Sequence, residues 1–277
     1  MTLSARLEAL DSALKSLGSV LVAFSGGADS AFLLAAAVRS LGADHVAAAT
    51  AVSPSLPERE LAAATAVAAG LGVRHLTART AEMQRAGYRA NAGDRCYFCK
   101  AELVDVLAPL AQQLGLAAVV TGTNADDAAA GFRPGMRAAA ERGARTPLLD
   151  AELSKAEIRS TSREWGLVTW DKPAAACLSS RIAYGLEITP TRLRRVDRAE
   201  RALRAALAEA GIACRDLRVR DLGAHARVEV DPELVPALLD RPDVLRVVEG
   251  YDEVEVDPRG FRSGAMNELL NEPERFR

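Results

Sequence analysis

The run SVLVAF at residues 19–24 is continuous and apolar, stops at Ser25-Gly26-Gly27, and leads at once into the helical pattern SAFLLAAAVRSLG. A strand that ends in a glycine turn and feeds straight into a helix narrows the possible folds more than any other feature of this chain. The alternation then repeats. HVAAATAV reads as a strand, Glu58 to Gly72 as a helix, VRHLTA as a strand, about 98–115 as a helix and AAVVTG as a strand. Helices long enough to cross over between apolar strands require a parallel sheet covered on both faces. The expected strand order is 3-2-1-4-5. An amphipathic helix precedes the first strand, because Leu3, Leu7, Leu10, Leu14 and Leu17 recur at helical spacing. Another starts at Ser154, with Glu157 three residues on as a capping box, and ends at Gly166.

From Thr189 the texture changes. Thr189-Pro190 opens a long charged helix to about Gly211, followed by the alternating strands DLRVRDLG and HARVEV, the short helix DPELVPALLD and the strand YDEVEVD. The expected organisation is therefore an α/β domain over 1–170, a linker over 171–188 that carries Cys177, and a smaller α+β domain over 189–277. A chain of 277 residues has room for one large domain and one small one. Its 35 basic and 37 acidic side chains give a net charge of −2, and only 4% of residues are aromatic. That balance leaves neither an electrostatic footprint nor stacking platforms for bulk nucleic acid. No apolar run spans a bilayer and no signal peptide is present, so a cytoplasmic protein without membrane or nucleic-acid partners is expected.

The turn after the first strand is the hexad Ser25-Gly26-Gly27-Ala28-Asp29-Ser30. Two glycines allow a tight turn, successive amides form an anion nest, and the following helix presents its positive end to the same anion. The hexad lacks the lysine of a Walker loop, which favours pyrophosphate as a leaving group over transfer of a terminal phosphoryl. Asp29 suits Mg²⁺. At the carboxyl end of a later strand, Gly122, Asn124 and Asp127 stand where ligands bind in such sheets, with a capped turn as the plain alternative.

Cys96-Tyr97-Phe98-Cys99 is a C-x₂-C just before a helix, and Cys177 lies in the linker sequence ACLSSR. A zinc site, a redox dithiol, separate thiols or an iron–sulfur cluster on three thiolates are all compatible with that set. Cys214 reads as a small buried hydrophobe.

The hexad is similar to the PP-loop of adenine-nucleotide α-hydrolases. Taken together, SGGADS, RCYFCK, TGTNADD, GFRPG, ACLSSR with Tyr184-Gly185, and GFRSGAMN resemble the LarE family of ATP-dependent pyridinium-3,5-biscarboxylic acid mononucleotide sulfur transferases. The resemblance implies a PP-loop ATP pyrophosphatase fold and ATP with Mg²⁺, bound by Ser25, Gly26, Gly27, Asp29, Ser30, Gly122, Asn124 and Asp127. It implies adenylylation of a substrate carboxylate, with Asp29 and Cys177 catalytic, and sulfur insertion into the nickel-pincer nucleotide cofactor of lactate racemase. Ser180, Arg181, Arg218, Arg220 and Arg262 fall in its regions of substrate contact, and Glu200 at an acidic metal position. The three-cysteine pattern, Cys96, Cys99 and Cys177, is similar to that of members with a [4Fe-4S] cluster, whereas other members sacrifice a single cysteine. A homo-oligomer acting on a small mononucleotide is the implied assembly. The rivals are a tRNA thiolation enzyme of the same superfamily and a non-enzymatic regulator that senses ATP or redox state.

Overall fold

The computed structural model describes residues 1–129, 133–173 and 176–270. The chain runs α1 (Leu3–Leu17), β1 (Val20–Ala23), α2 (Ala28–Leu41), β2 (Val46–Val52), α3 (Glu58–Gly70), β3 (Arg74–Arg79) and α4 (Ala86–Arg89). It continues through α5 (Arg95–Gln113), β4 (Ala118–Thr121), α6 (Ala125–Ala129), α7 (Pro134–Glu141), α8 (Pro147–Asp150) and α9 (Lys155–Glu164). Then follow α10 (Pro190–Glu209), β5 (Arg218–Asp221), β6 (His225–Glu229), α11 (Val235–Leu239), α12 (Pro242–Leu245) and β7 (Glu253–Val256). Two compact units divide it: one holds 1–82 and 96–173, the other 83–95 and 176–270.

The first unit is the expected α/β fold. Its sheet has the order β3-β2-β1-β4, with every neighbouring pair parallel. Alternation along β1 divides the core: Val20 and Val22 pack on one face with Leu10, Leu14, Phe32 and Ile158, whereas Leu21 packs on the other with Leu107 and Val119. The expected fifth strand is reduced to one residue. Arg145 bridges Val120, donating to the Val119 carbonyl and accepting from the Thr121 amide, both at 2.9 Å. Pro147 then opens α8, and a residue without an N–H cannot extend a ladder. The capping box at the start of α9 is present in full, with the Ser154 side chain on the Glu157 amide and the Glu157 carboxylate on the Ser154 amide.

The second unit packs the apolar side of α10, with Leu203 and Leu207 among its residues, on the sheet β5-β6-β7, antiparallel then parallel. Thr189 caps α10 through its side chain, ahead of Pro190. The segment 83–95 joins this unit through Asn91, a buried residue at φ +53°. Its side-chain amide donates to the Ala183 carbonyl at 2.8 Å, the Leu186 carbonyl at 3.0 Å and the Ile182 carbonyl at 3.3 Å.

Under the glycine turn of the first unit, Thr50 Oγ1 spends its proton on the Phe24 carbonyl at 2.7 Å, so at 2.8 Å it accepts from His75 Nε2. Burial pushes His75 below its ordinary pKa, so the fold favours the neutral ring. This contribution is present in full above the ordinary imidazole range, about 6.5, and is lost as the pH falls through and below it. Thermal melts from pH 7.5 to 5 should show a downward trend in wild type that is shallower in His75→Gln; parallel trends would remove His75 as its cause.

Candidate functional site

The hexad of the first unit lies where β1 ends and α2 begins. Gly26 takes φ +69°, and a Cβ there would sit 2.9 Å from the Ala64 Cβ of α3, so neither the backbone nor the space admits a side chain. From the other side β4 closes in: a Cβ on Gly122 would meet the Ser30 amide nitrogen at 3.0 Å. The loop is tied to itself by Ser25 Oγ, 3.1 Å from Ser30 Oγ and accepting from the Gly27 amide at 3.3 Å. The amides of Ala28, Asp29 and Ser30 open α2 and therefore have no acceptor within their own helix. Such a turn presents N–H groups to an oxyanion.

Burial pushes the Asp29 carboxyl above its ordinary pKa; Lys155 opposes this, Asp127 adds to it, and Arg159 and Asn124 pull it down. Asp29 and Asp127 are thus close enough to feel each other's charge, and two such carboxylates suit a divalent cation. Their neighbours are assigned by capping. Asn124 Oδ1 accepts from the Asp127 amide at 3.1 Å, and Asp126 takes the Lys155 amide at 2.6 Å. The capped-turn reading therefore holds for Asn124, which is 0% exposed and whose side chain also helps to keep the Asp29 carboxylate charged.

Cys96 and Cys99 stand three apart on the first turn of α5, so they share a helix face. All four cysteines are outside disulfides. Among the described residues no three His, Cys, Asp or Glu side chains are grouped as a metal site. Of the motif GFRPG, Gly131 and Phe132 lie outside the described residues.

In the second unit, Cys177 leads into a short 3₁₀ turn, Leu178–Arg181. Its carbonyl accepts from the Ser180 amide at 3.0 Å, Ser180 Oγ at 2.8 Å and Arg181 Nη1 at 2.9 Å. The arginines expected from the sequence as anion receptors are inside: Arg181, Arg218 and Arg220 are 1%, 4% and 5% exposed. Arg181 pairs with Glu200 at 2.8 Å, and Glu200 Oε1 also takes the Val219 amide. The residue expected at a metal position is thus held by an arginine and a backbone amide. Arg220 pairs with Glu229 at 2.6 Å. Burial, then the charge of Arg181, pulls Arg218 down to about 10, with Arg220 adding to the effect and Glu200 and Asp216 opposing it. Arg262, in the loop after β7, pairs with Glu268. Burial pushes the Cys214 thiol up to about 11, consistent with a packed, unreactive group.

Sequence reasoning missed the residues that hold the turn after Cys177. Tyr88 pairs with Ser179 through their hydroxyls, and Arg95 Nη1 donates to the Ser179 carbonyl at 2.8 Å and to Asn91 Oδ1 at 2.7 Å. Their one available signal was position, in the stretch just before the C-x₂-C.

Glu200→Gln should destabilise the second unit by about 3 kcal/mol or more, because Arg181 would keep a buried charge without its counter-ion. The double variant Arg181→Met with Glu200→Met should lose much less. Denaturant unfolding followed by circular dichroism reads both, and a loss below about 1 kcal/mol in the single variant would show that the pair is not the support described.

No family model matches the chain. An uncharacterized protein of Synechocystis is 43% identical over 194 residues, 68% of this chain and 70% of that protein. An uncharacterized protein of Methanocaldococcus jannaschii is 27% identical over 177 residues, 64% of each. The pyridinium-3,5-bisthiocarboxylic acid mononucleotide synthase of Lactiplantibacillus plantarum is 33% identical over 276 residues, which span 99% of this chain and 98% of the synthase. With one residue in three shared from end to end, and the parallel sheet and glycine turn in place, the chain belongs to the LarE family, that of the pyridinium-3,5-bisthiocarboxylic acid mononucleotide synthases.

Proposed function

We propose that the chain is an ATP-dependent sulfur transferase acting on pyridinium-3,5-biscarboxylic acid mononucleotide, in synthesis of the nickel-pincer nucleotide cofactor of lactate racemase. The observation that carries the reading is the hexad turn at the carboxyl edge of the parallel sheet, with Asp29 and Asp127 beside its amides, in a chain similar to the L. plantarum synthase over its whole length.

The chemistry follows from what these groups can do. A carboxylate oxygen is a poor leaving group until it is bonded to phosphorus. The loop from Ser25 to Ser30 would hold the phosphates of ATP, with Gly122, Asn124 and Asp127 closing the far side. A substrate carboxylate would attack the α-phosphorus, and pyrophosphate would depart with the electron pair of the broken P–O bond. A magnesium ion held by Asp29 and Asp127 would offset the charge of that leaving group. A sulfur nucleophile would then displace AMP from the acyl carbon to leave a thiocarboxylate. Ser180, Arg218, Arg220 and Arg262 are the proposed receptors for the anionic groups of the mononucleotide, Arg181 holds the Cys177 turn in shape, and Glu200 would bind metal only by releasing Arg181.

For the sulfur donor, we propose a [4Fe-4S] cluster on Cys96, Cys99 and Cys177, supported by the C-x₂-C spacing and by the shared face of Cys96 and Cys99. Such a cluster would supply an exchangeable sulfide at its open iron. The protein is proposed to work in the cytoplasm as a homo-oligomer, without nucleic-acid or membrane partners. No helix among the described residues is long and apolar enough to cross a membrane.

With ATP, Mg²⁺ and the mononucleotide, the protein should release AMP and pyrophosphate; ADP as main product would refute the reading. Asp29→Asn should keep the fold and lower turnover by roughly 10²-fold or more. Because burial raises the Asp29 pKa in the metal-free site, Mg²⁺ affinity should begin to fall toward acid at a pH above the ordinary carboxylate range. The donor is tested separately. Anaerobically purified protein should contain iron and labile sulfide, and Cys177 should survive several turnovers intact by mass spectrometry. Loss of about 34 Da at Cys177, as β-elimination to dehydroalanine requires, would identify a sacrificial cysteine instead.

A further inference from the structure

The hexad carries no lysine, yet an ammonium rests on it. Lys172, one of four lysines in the chain, places Nζ 2.9 Å from the Gly26 carbonyl and 2.9 Å from Glu60 Oε2. Both partners belong to the loop and its support. Gly26 is the residue pressed against Ala64, and Glu60 lies one turn before Ala64 on the same face of α3. The lysine side chain is 21% exposed and that of Glu60 12%, so neither charge lies free in solvent. The backbone at Lys172 is fixed as well: its amide donates to the Thr169 carbonyl at 3.1 Å, and its carbonyl accepts from Arg159 Nη2 at 3.0 Å. Arg159 is also one of the charges that Asp29 feels.

A peptide carbonyl is a weaker acceptor for an ammonium than a phosphate oxygen. An ammonium has three donors, and this one spends one on the Gly26 carbonyl while Glu60 offsets its charge without a hydrogen bond. An ammonium held on a carbonyl beside a turn whose helix-opening amides have no acceptor within their own helix is placed to meet an oxyanion.

The geometry points to Lys172 as a phosphate-binding residue of the nucleotide site, supplying from beyond α9 the ammonium that the loop sequence lacks. It would move a donor from the Gly26 carbonyl onto an oxygen of the phosphate chain, form no covalent bond, and leave the electron flow of the displacement unchanged. Glu60 holds the ammonium in place until then. The assignment rests on the ATP reading of this loop.

The experiment separates the two. Binding of inorganic pyrophosphate and of ATP is measured by calorimetry with Mg²⁺ for wild type, Lys172→Ala, Lys172→Gln, Lys172→Arg and Glu60→Gln, with circular dichroism of each. Lys172→Gln keeps a donor for the Gly26 carbonyl without the charge, and so serves should the alanine variant not fold. Lys172→Ala and Lys172→Gln should weaken pyrophosphate binding about tenfold or more, as loss of a charged hydrogen bond to phosphate requires, with Lys172→Arg nearer wild type. Glu60→Gln should bind pyrophosphate as well as wild type or better. If removing Lys172 leaves the affinity unchanged, or if Glu60→Gln and Lys172→Gln weaken it alike, Lys172 is a structural tie and the assignment falls while the ATP reading stands. A wild-type protein that binds neither ligand overturns the ATP reading and the assignment together.

Discussion

Everything at the glycine turn after β1 depends on an absence of volume. Ala64 of α3 occupies the space beside Gly26, and the backbone of α2 occupies the space beside Gly122. The turn is therefore gripped between a helix and a strand end, not left to hang between elements. Close packing of this kind gives the loop a single shape before any ligand arrives, so little ordering cost remains at binding. Alanine-rich helices contribute to the same end: Ala64 and Ala68 present almost no side chain, which lets α3 lie close against the rest of the first unit.

Much of this was legible from residue pattern. The strand–turn–helix at 19–42, the capping box at Ser154 and the Thr189-Pro190 start of α10 all depend on neighbours a few residues apart, and each appears as read. What pattern could not supply were partners distant in sequence. A fifth strand looked plausible because four preceded it, but Pro147 leaves room for one bridging residue. Alternation placed Arg218 and Arg220 on one strand without showing that both would be buried, because nothing local announces Glu200 or Glu229 as counter-charges. Nothing near Lys172 in the sequence announces Gly26; only the fold brings the two together, far apart along the chain.

The second unit shows a related economy of charge. Arg95, Arg181, Arg218 and Arg220 are enclosed with Glu200, Asp221, Glu229 and Asp257, so buried cations and buried carboxylates match in number. Enclosing so many charges carries a desolvation cost even when they are matched, and the lowered pKa of Arg218 registers that cost.

Segment 83–95 gives the second unit an awkward relation to synthesis. Tyr88 must wait for Ser179, 91 residues later, before its hydroxyl finds its partner; Asn91 waits 91 to 95 residues and Arg95 84 for the carbonyls they hold. While the chain is being made, the sheet of the first unit can assemble from strands already present, but this segment has nothing to close on. The second unit is therefore completed only after most of the protein has left the ribosome. Nor is it a portable cassette: a fragment starting at 176 would lack its clamp, so recombination at the apparent boundary should yield pieces that fold poorly even where both parents fold well.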